Sequence, residues 1–178
     1  MGCSIMLAID SMMQYIPSSM AGPKITILIG TMTGTAQLCA QEMELALDDG
    51  ETAVETLLMD RLDASVFARE GVFLVCTSTY GQGDVPDNAK ALYEDLKAKR
   101  PNLSGMRYGV FGLGDRTYTE TFNFGPKRFD DILAELGAER VGERYQHDAS
   151  AGTLPEELAL EWARDWAAKV RERLAATA

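Results

Sequence analysis

The stretch ILIGTMTGTAQL, residues 27–38, decides how the chain is read. An apolar run stops at Gly30. A turn of threonines and one glycine follows, and a helical pattern begins at its end. Strand, tight turn and helix in that order open a βαβ unit. Upstream, KITILIG (24–30) is apolar almost without break, as a strand covered on both faces must be. Downstream, Cys39, Met43, Ala46 and Leu47 fall on one helical stripe.

The alternation continues to the end of the chain. TAVETLL (52–58) reads as a second strand, with a short segment near Leu62 to Ala68. GVFLVCTS (71–78) is a third strand, apolar throughout and therefore central. Ala89, Leu92, Tyr93 and Leu96 form the next helical face, which Pro101 stops. RYGVFGLG (107–114) is a fourth strand. Phe129, Ile132, Leu133 and Leu136 follow at helical spacing, with Gly137 just past the end. AERVGERYQ (138–146) alternates and is polar, like an edge strand. Thr153-x-x-Glu156 has the pattern of a capping box, opening a last helix striped by Leu158, Trp162, Trp166 and Val170. Five strands separated by helices predict an α/β fold with a parallel sheet covered on both faces.

Bulk properties narrow the function. The 178 residues carry 17 Lys and Arg against 27 Asp and Glu, a net charge of −10 with a pI near 4.6. Such a surface argues against nucleic acid as partner, which needs a basic face, and suits a basic protein. Cys3, Cys39 and Cys76 are odd in number and form no CxxC. They imply a reducing, cytoplasmic setting without a structural metal, with Cys39 and Cys76 as core residues. A His-based triad would have to use the one histidine, His147, and no GxSxG accompanies it. Residues 1–23 lack the basic flank and the length of a signal peptide or membrane span. They are expected to be an extension outside a domain of residues 24–178, with Met20 as an alternative start.

In parallel α/β sheets, ligands sit at the carboxyl ends of the strands, at the switch point. The loops after strands one, three and four are the relevant ones. TMTGTA (31–36) sets hydroxyls and bare amides at a helix N-terminus, a cradle for a phosphate. It lacks the lysine of a Walker loop and the three glycines of a Rossmann fingerprint. TSTYGQGDVPDN (77–88) and GLGDRTYTETFN (112–123) place Tyr80, Tyr118 and Phe122 on glycine-rich loops, suited to stacking on a flat ring. A planar heterocycle with a phosphate tail is implied.

Taken together, TMTGTA, STYGQGDVPDNA and FGLGDRTY…FN resemble the three FMN-binding loops of the flavodoxin family, above all MioC-type short flavodoxins and the FMN domain of diflavin reductases. The likeness spans about residues 24–170. It implies a three-layer α/β/α sandwich with a five-stranded parallel sheet, and the order 2-1-3-4-5 is carried over from the family. By that resemblance Thr31, Met32, Thr33, Gly34, Thr35 and Ala36 hold the FMN phosphate. Ser78, Thr79, Tyr80 and Gly81 line the ring, with Gly83 close by. Leu113, Gly114 and Asp115 meet the ring edge, and Tyr118 stacks on its second face. Phe122 and Asn123 close the pocket, and Asp148 stands near the ribityl or phosphate end. One departure is the spacing from Tyr118 to Phe122, a residue longer than in those relatives.

The implied function is a carrier of single low-potential electrons, without substrate turnover of its own. A basic NAD(P)H-dependent flavoprotein reductase would be the donor, and a radical enzyme or haem protein the acceptor. The chain would act as a monomer, away from membranes. Asp84, Asp87, Asp115 and Glu120 cluster near the expected ring. Each charge at ~8 Å in an effective dielectric of ~20 would cost about 2 kcal/mol against adding an electron. Peptide flips at Gly81 and Gly83 would tune the one-electron state. The alternatives are an FMN-dependent NAD(P)H or quinone oxidoreductase, and a domain of this shape that has lost FMN and acts as an interaction module. A receiver-like domain would need an acid pair where Gly30 and Thr31 stand.

Overall fold

A computed structural model of the chain describes residues 22–178. Cys3, Met20 and the rest of 1–21 lie outside the described residues. The expected boundary at residue 24 is approached by Gly22, whose amide donates to the Glu51 carbonyl at 2.9 Å.

Strands β1 (Lys24–Gly30), β2 (Ala53–Leu58), β3 (Val72–Ser78) and β4 (Arg107–Gly114) fall where the apolar runs place them. Helices α1 (Thr35–Leu47), α2 (Asp87–Lys99), α3 (Phe124–Glu135) and α4 (Pro155–Ala176) occupy the intervals. The sheet is parallel in the order β2-β1-β3-β4-β5, with helices on both faces. The reversal between β1 and β3 puts the switch point at their carboxyl ends.

The fifth position is interrupted. The expected strand 138–146 divides into β5 (Glu139–Arg140), paired with Arg107 and Tyr108, and β6 (Tyr145–Asp148), paired with Phe111 to Gly114 of the same β4. Between them the chain leaves the ladder at Gly142, φ 73°. The break lets Arg140 and Arg144 converge on buried Asp130 of α3. Arg144 meets it at 2.6 Å, and the Tyr108 hydroxyl donates to it at 2.8 Å. Two guanidiniums and a phenol around one carboxylate satisfy a charge that would be costly to bury alone.

One core fills each face. Phe73, Val75, Tyr108 and Val110 pack under α2 and α3, while Ile25, Ile27, Leu74 and Phe111 pack under α1 and α4. Cys39 and Cys76 lie in the second core, where burial pushes the Cys39 thiol up to about 12 and Cys76 well above its ordinary value. Thiolates, and hence thiol redox chemistry, are disfavoured there.

Helix α4 differs from expectation in two ways. No capping box forms: Leu154 is the N-cap and Pro155 takes the first helical position. Proline suits that position because its missing amide is one the helix would leave unpaired. The Thr153 hydroxyl is thereby left to a different partner. The stripe that buries is also the alanine one, Ala159, Ala163 and Ala167, with Trp166 and Val170; Leu158 and Trp162 are half-buried. Small residues let α4 lie close against α1 and the sheet.

Candidate functional site

A cavity of about 640 Å³ opens at the carboxyl ends of β1, β3 and β4. The glycines of β4 set its back wall. A Cβ on Gly114 would come within 2.8 Å of Asn123 Nδ2, and one on Gly112 within 2.8 Å of Pro126. Bare backbone there lets the start of α3 press against the end of the strand. Asn123 lies at that junction with φ 56°, 1% exposed, its Nδ2 donating to the His147 carbonyl at 3.1 Å. It stands behind the wall and does not line the cavity. Its Oδ1 is buried without a partner among the described residues.

On one side the cavity meets α1. Thr33 and Thr35 line it, with their hydroxyls 3.5 Å apart. Gly34 is the N-cap at φ 94°, a conformation glycine adopts freely. The amides of Thr35 and Ala36 belong to the helix's first turn, which lacks intrahelical acceptors. Thr31 points elsewhere. Its amide donates to Asn88 Oδ1 at 2.8 Å and its hydroxyl accepts from the Gly34 amide at 2.9 Å, so it braces the turn from within. Met32 Sδ accepts from the Asp87 amide at 3.2 Å, tying the turn to α2. Ala36 is fully buried.

Two helix N-termini reach the cavity, since Pro155 of α4 lines it as well. They are not equivalent. The first turn of α4 carries Glu156 and Glu157, whereas that of α1 has no acid. Carboxylates already meet the positive end of the α4 dipole, and the α1 end is left for an anion from outside. No lysine or arginine lines the cavity among the described residues.

The opposite side is aromatic. Residues 80–84 close on themselves, Tyr80 N to Asp84 O at 2.9 Å and Asp84 N to Tyr80 O at 2.8 Å. Gly81 at φ 53° and Gly83 at φ 87° allow the turn. Gly83 is buried, and its carbonyl accepts from Arg128 Nε at 2.8 Å. Thr79 stitches the strand ends together: its amide and hydroxyl donate to Leu113 O at 3.1 and 3.2 Å. Tyr80 is thus held at a fixed root, yet is 46% exposed. Across the cavity, residues 115–124 wind through three consecutive turns, Tyr118 N to Asp115 O, Thr121 N to Tyr118 O and Phe124 N to Thr121 O, each 3.1 Å. The Tyr118 to Phe122 interval lies within these turns. Both rings line the cavity, Tyr118 at 68% exposure, while Phe122 lies under the Arg116 guanidinium at 4.6 Å.

The acidic rim is partly neutralised. Asp84 faces Arg128 at 3.6 Å, and Asp87 pairs with Lys90. Of the four carboxylates expected near the ring, Asp115 alone lines the cavity. The field there is weaker than a count of acids implies.

Asp148 also lies outside the lining. Its Oδ1 accepts from the Arg116 amide at 3.0 Å, the Ser150 amide at 3.0 Å and the Ser150 hydroxyl at 2.7 Å. These bonds hold its carboxyl below the ordinary value, the Arg116 amide contributing most. It fastens the 115–124 loop to the end of β6. Thr121, His147, Ala149, Thr153 and Pro155 line the cavity without any sequence signal pointing to them. Ser78, Thr79, Gly81, Leu113 and Gly114 line it too.

The flavodoxin family's sequence profile matches residues 27–162. Flavodoxin YqcA of Pectobacterium carotovorum subsp. carotovorum is 38% identical over 144 residues, 81% of this chain and 95% of that protein. Protein MioC of Escherichia coli K12 is 34% identical over 145 residues, 80% of this chain and 95% of that protein. Among solved structures, a cysteine-to-alanine mutant of flavodoxin from Pseudomonas aeruginosa superposes with a TM-score of 0.71 at 35% identity, over 83% of this chain and 99% of that one. With that profile, those relatives and this sheet order, the chain belongs to the flavodoxin family.

Proposed function

We propose that this protein is an FMN-binding electron carrier. It takes single low-potential electrons from an external NAD(P)H-dependent flavoprotein reductase and hands them to an acceptor enzyme, such as a radical enzyme or haem protein. One observation carries the reading: an acid-free helix N-terminus with paired hydroxyls and two exposed tyrosines share one cavity at the switch point.

The residues present fit the group. A cavity of about 640 Å³ lies within the range of ligand sites. The Thr33 and Thr35 hydroxyls and the first amides of α1 take the phosphate; Thr31, Met32 and Gly34 shape the turn that presents them. Tyr80 and Tyr118 bound the ring, Ser78, Thr79 and Gly81 flank it, and Leu113 to Asp115 offer backbone to its edge. Gly83, Asn123 and Asp148 act on the site through the elements they fasten. When bound, FMN supplies the one-electron chemistry; the protein binds it and tunes it. Asp115 disfavours added negative charge beside it.

Residues 24–178 form the working domain, which acts as a cytoplasmic monomer. Among the described residues no helix is long and apolar enough to cross a membrane. The net charge of −10 steers a basic partner toward it. High salt should therefore slow reduction by the donor.

Titration with FMN, read by visible absorbance and followed by stepwise dithionite, tests the reading. Binding in a one-to-one ratio and reduction in two resolved one-electron steps are expected. Absence of binding would overturn it in favour of an interaction module. Bleaching of bound flavin by NAD(P)H alone would overturn the carrier role in favour of an oxidoreductase.

A further inference from the structure

His147 is the chain's single histidine and is 4% exposed. It sits in β6 beside Leu113 of β4. Tyr145, two residues earlier, stacks on Phe111 at 4.8 Å with 7° between the planes. Alternation puts His147 on that same sheet face, over α1 and α4, at the strand's end. There it lines the cavity together with Thr153.

The ring meets Thr153 through one nitrogen. Nε2 lies 3.3 Å from the Thr153 carbonyl oxygen and 3.2 Å from Thr153 Oγ1. A carbonyl can only accept, so a hydrogen bond to it requires the proton on Nε2. In the neutral imidazole Nδ1 is then an acceptor. It has no partner among the described residues, and it is not one of the unpartnered polar atoms sealed from solvent. With Nε2 turned to Thr153, Nδ1 is the ring nitrogen left for the cavity that His147 lines. The residue is gripped from behind as well, because its carbonyl accepts from Asn123 Nδ2 at 3.1 Å.

We propose that Thr153 holds His147 as the Nε2–H tautomer so that Nδ1 accepts a hydrogen bond from a hydroxyl of the flavin's ribityl chain. This inference rests on the FMN reading. A ligand with its phosphate at Thr33 and Thr35 and its ring between Tyr80 and Tyr118 must carry its middle across the space between them. A neutral acceptor on the wall would oppose an anion and welcome a hydroxyl. The Thr153 hydroxyl, freed by the absence of a capping box, completes the pair.

Two measurements test it. Nitrogen-15 chemical shifts of His147 in flavin-free protein should show a protonated Nε2 and an unprotonated Nδ1; the reverse tautomer would overturn the proposal. Affinities of lumiflavin, riboflavin and FMN should then be compared across variants. His147→Leu should weaken riboflavin and FMN by about 3- to 10-fold, the worth of one hydrogen bond, and leave lumiflavin, which lacks the chain, within about 2-fold. His147→Asn, whose amide oxygen can stand where Nδ1 stood, should keep riboflavin binding, and His147→Gln should lose it; this polar pair serves if the leucine variant does not fold. Equal loss of lumiflavin, or Asn and Gln behaving alike, would overturn the proposal. Failure of the unaltered protein to bind any of the three would instead remove the FMN reading, and this inference with it.

Discussion

Thr35→Asp sets the two faces of the α1 N-terminus against each other. Thr35 opens a helix whose first turn has no acid, and its hydroxyl is 3.5 Å from that of Thr33. A carboxylate at this position meets the positive end of the dipole and should stabilise the flavin-free protein by about 0.3–1 kcal/mol. For a chain of this size that raises Tm by about 1–4 °C. The same carboxylate would face the ligand phosphate. At roughly 6 Å and an effective dielectric of ~20, each pair of charges repels by about 3 kcal/mol, which salt at a cavity mouth roughly halves. The phosphate carries more than one charge, so FMN affinity should fall by about 10- to 100-fold. Riboflavin, without the phosphate, serves as the internal control. The assay is flavin titration by fluorescence quenching at about 0.15 M ionic strength, where that screening applies, beside thermal unfolding without flavin. The ratio of riboflavin to FMN Kd should drop by that same factor while Tm rises. A ratio that stays constant while Tm rises would refute the assignment of the phosphate to α1.

Other perturbations address the rest of the site. Gly81→Ala meets nothing closer than Asp84 Oδ2 at 3.8 Å and bears only the left-handed backbone, whereas Gly83→Ala would also bring its Cβ within 2.9 Å of Phe124. Urea unfolding should show a loss of about 1–2 kcal/mol for the first and about 2–4 kcal/mol for the second; equal losses would contradict the packing described. Asp130→Ala strands Arg140 and Arg144 beside a buried gap and should cost about 3–5 kcal/mol, read as a fall in the urea midpoint with little change in slope. The Asp148 carboxyl is held below its ordinary value by its hydrogen bonds. Its contribution is therefore complete above the unfolded pKa of about 3.9 and is lost as pH falls through the lower folded value. The amide proton shifts of Arg116 and Ser150 should follow that titration, with a midpoint below about 3.9; a midpoint above it would be inconsistent with the bonds seen.

Much of this arrangement is readable because its signals are local. The runs at 24–30 and 107–114 are continuous apolar strands, and each of the three loops of the site sits directly after a strand. What stays hidden depends on partners distant in sequence. Nothing in AERVGERYQ announces that its middle must leave the ladder, since the reason is Asp130, on another element. Thr153-x-x-Glu156 has the form of a capping box, yet Pro155 between them is the stronger signal and moves the helix start. The alanines of α4 escape a search for bulky stripes, because close helix packing selects for the absence of bulk. His147 and Thr153 reach the cavity only through the pairing of β6 with β4, and Asn123 packs behind the wall in the room that the glycines of β4 leave. The acids of the rim are countable in the sequence, but geometry alone assigns Arg128 and Lys90 to them as cations.

The interrupted fifth strand bears on how the protein behaves at high concentration. A sheet's outermost strand offers a row of unpaired amides and carbonyls that can recruit another molecule. Here that row comes in pieces of two and four residues, Glu139–Arg140 and Tyr145–Asp148, separated by a turn and studded with charge. A second chain could find no straight stretch on which to build, so the break that brings Arg140 and Arg144 to Asp130 also guards this border of the molecule against edge-to-edge pairing of sheets.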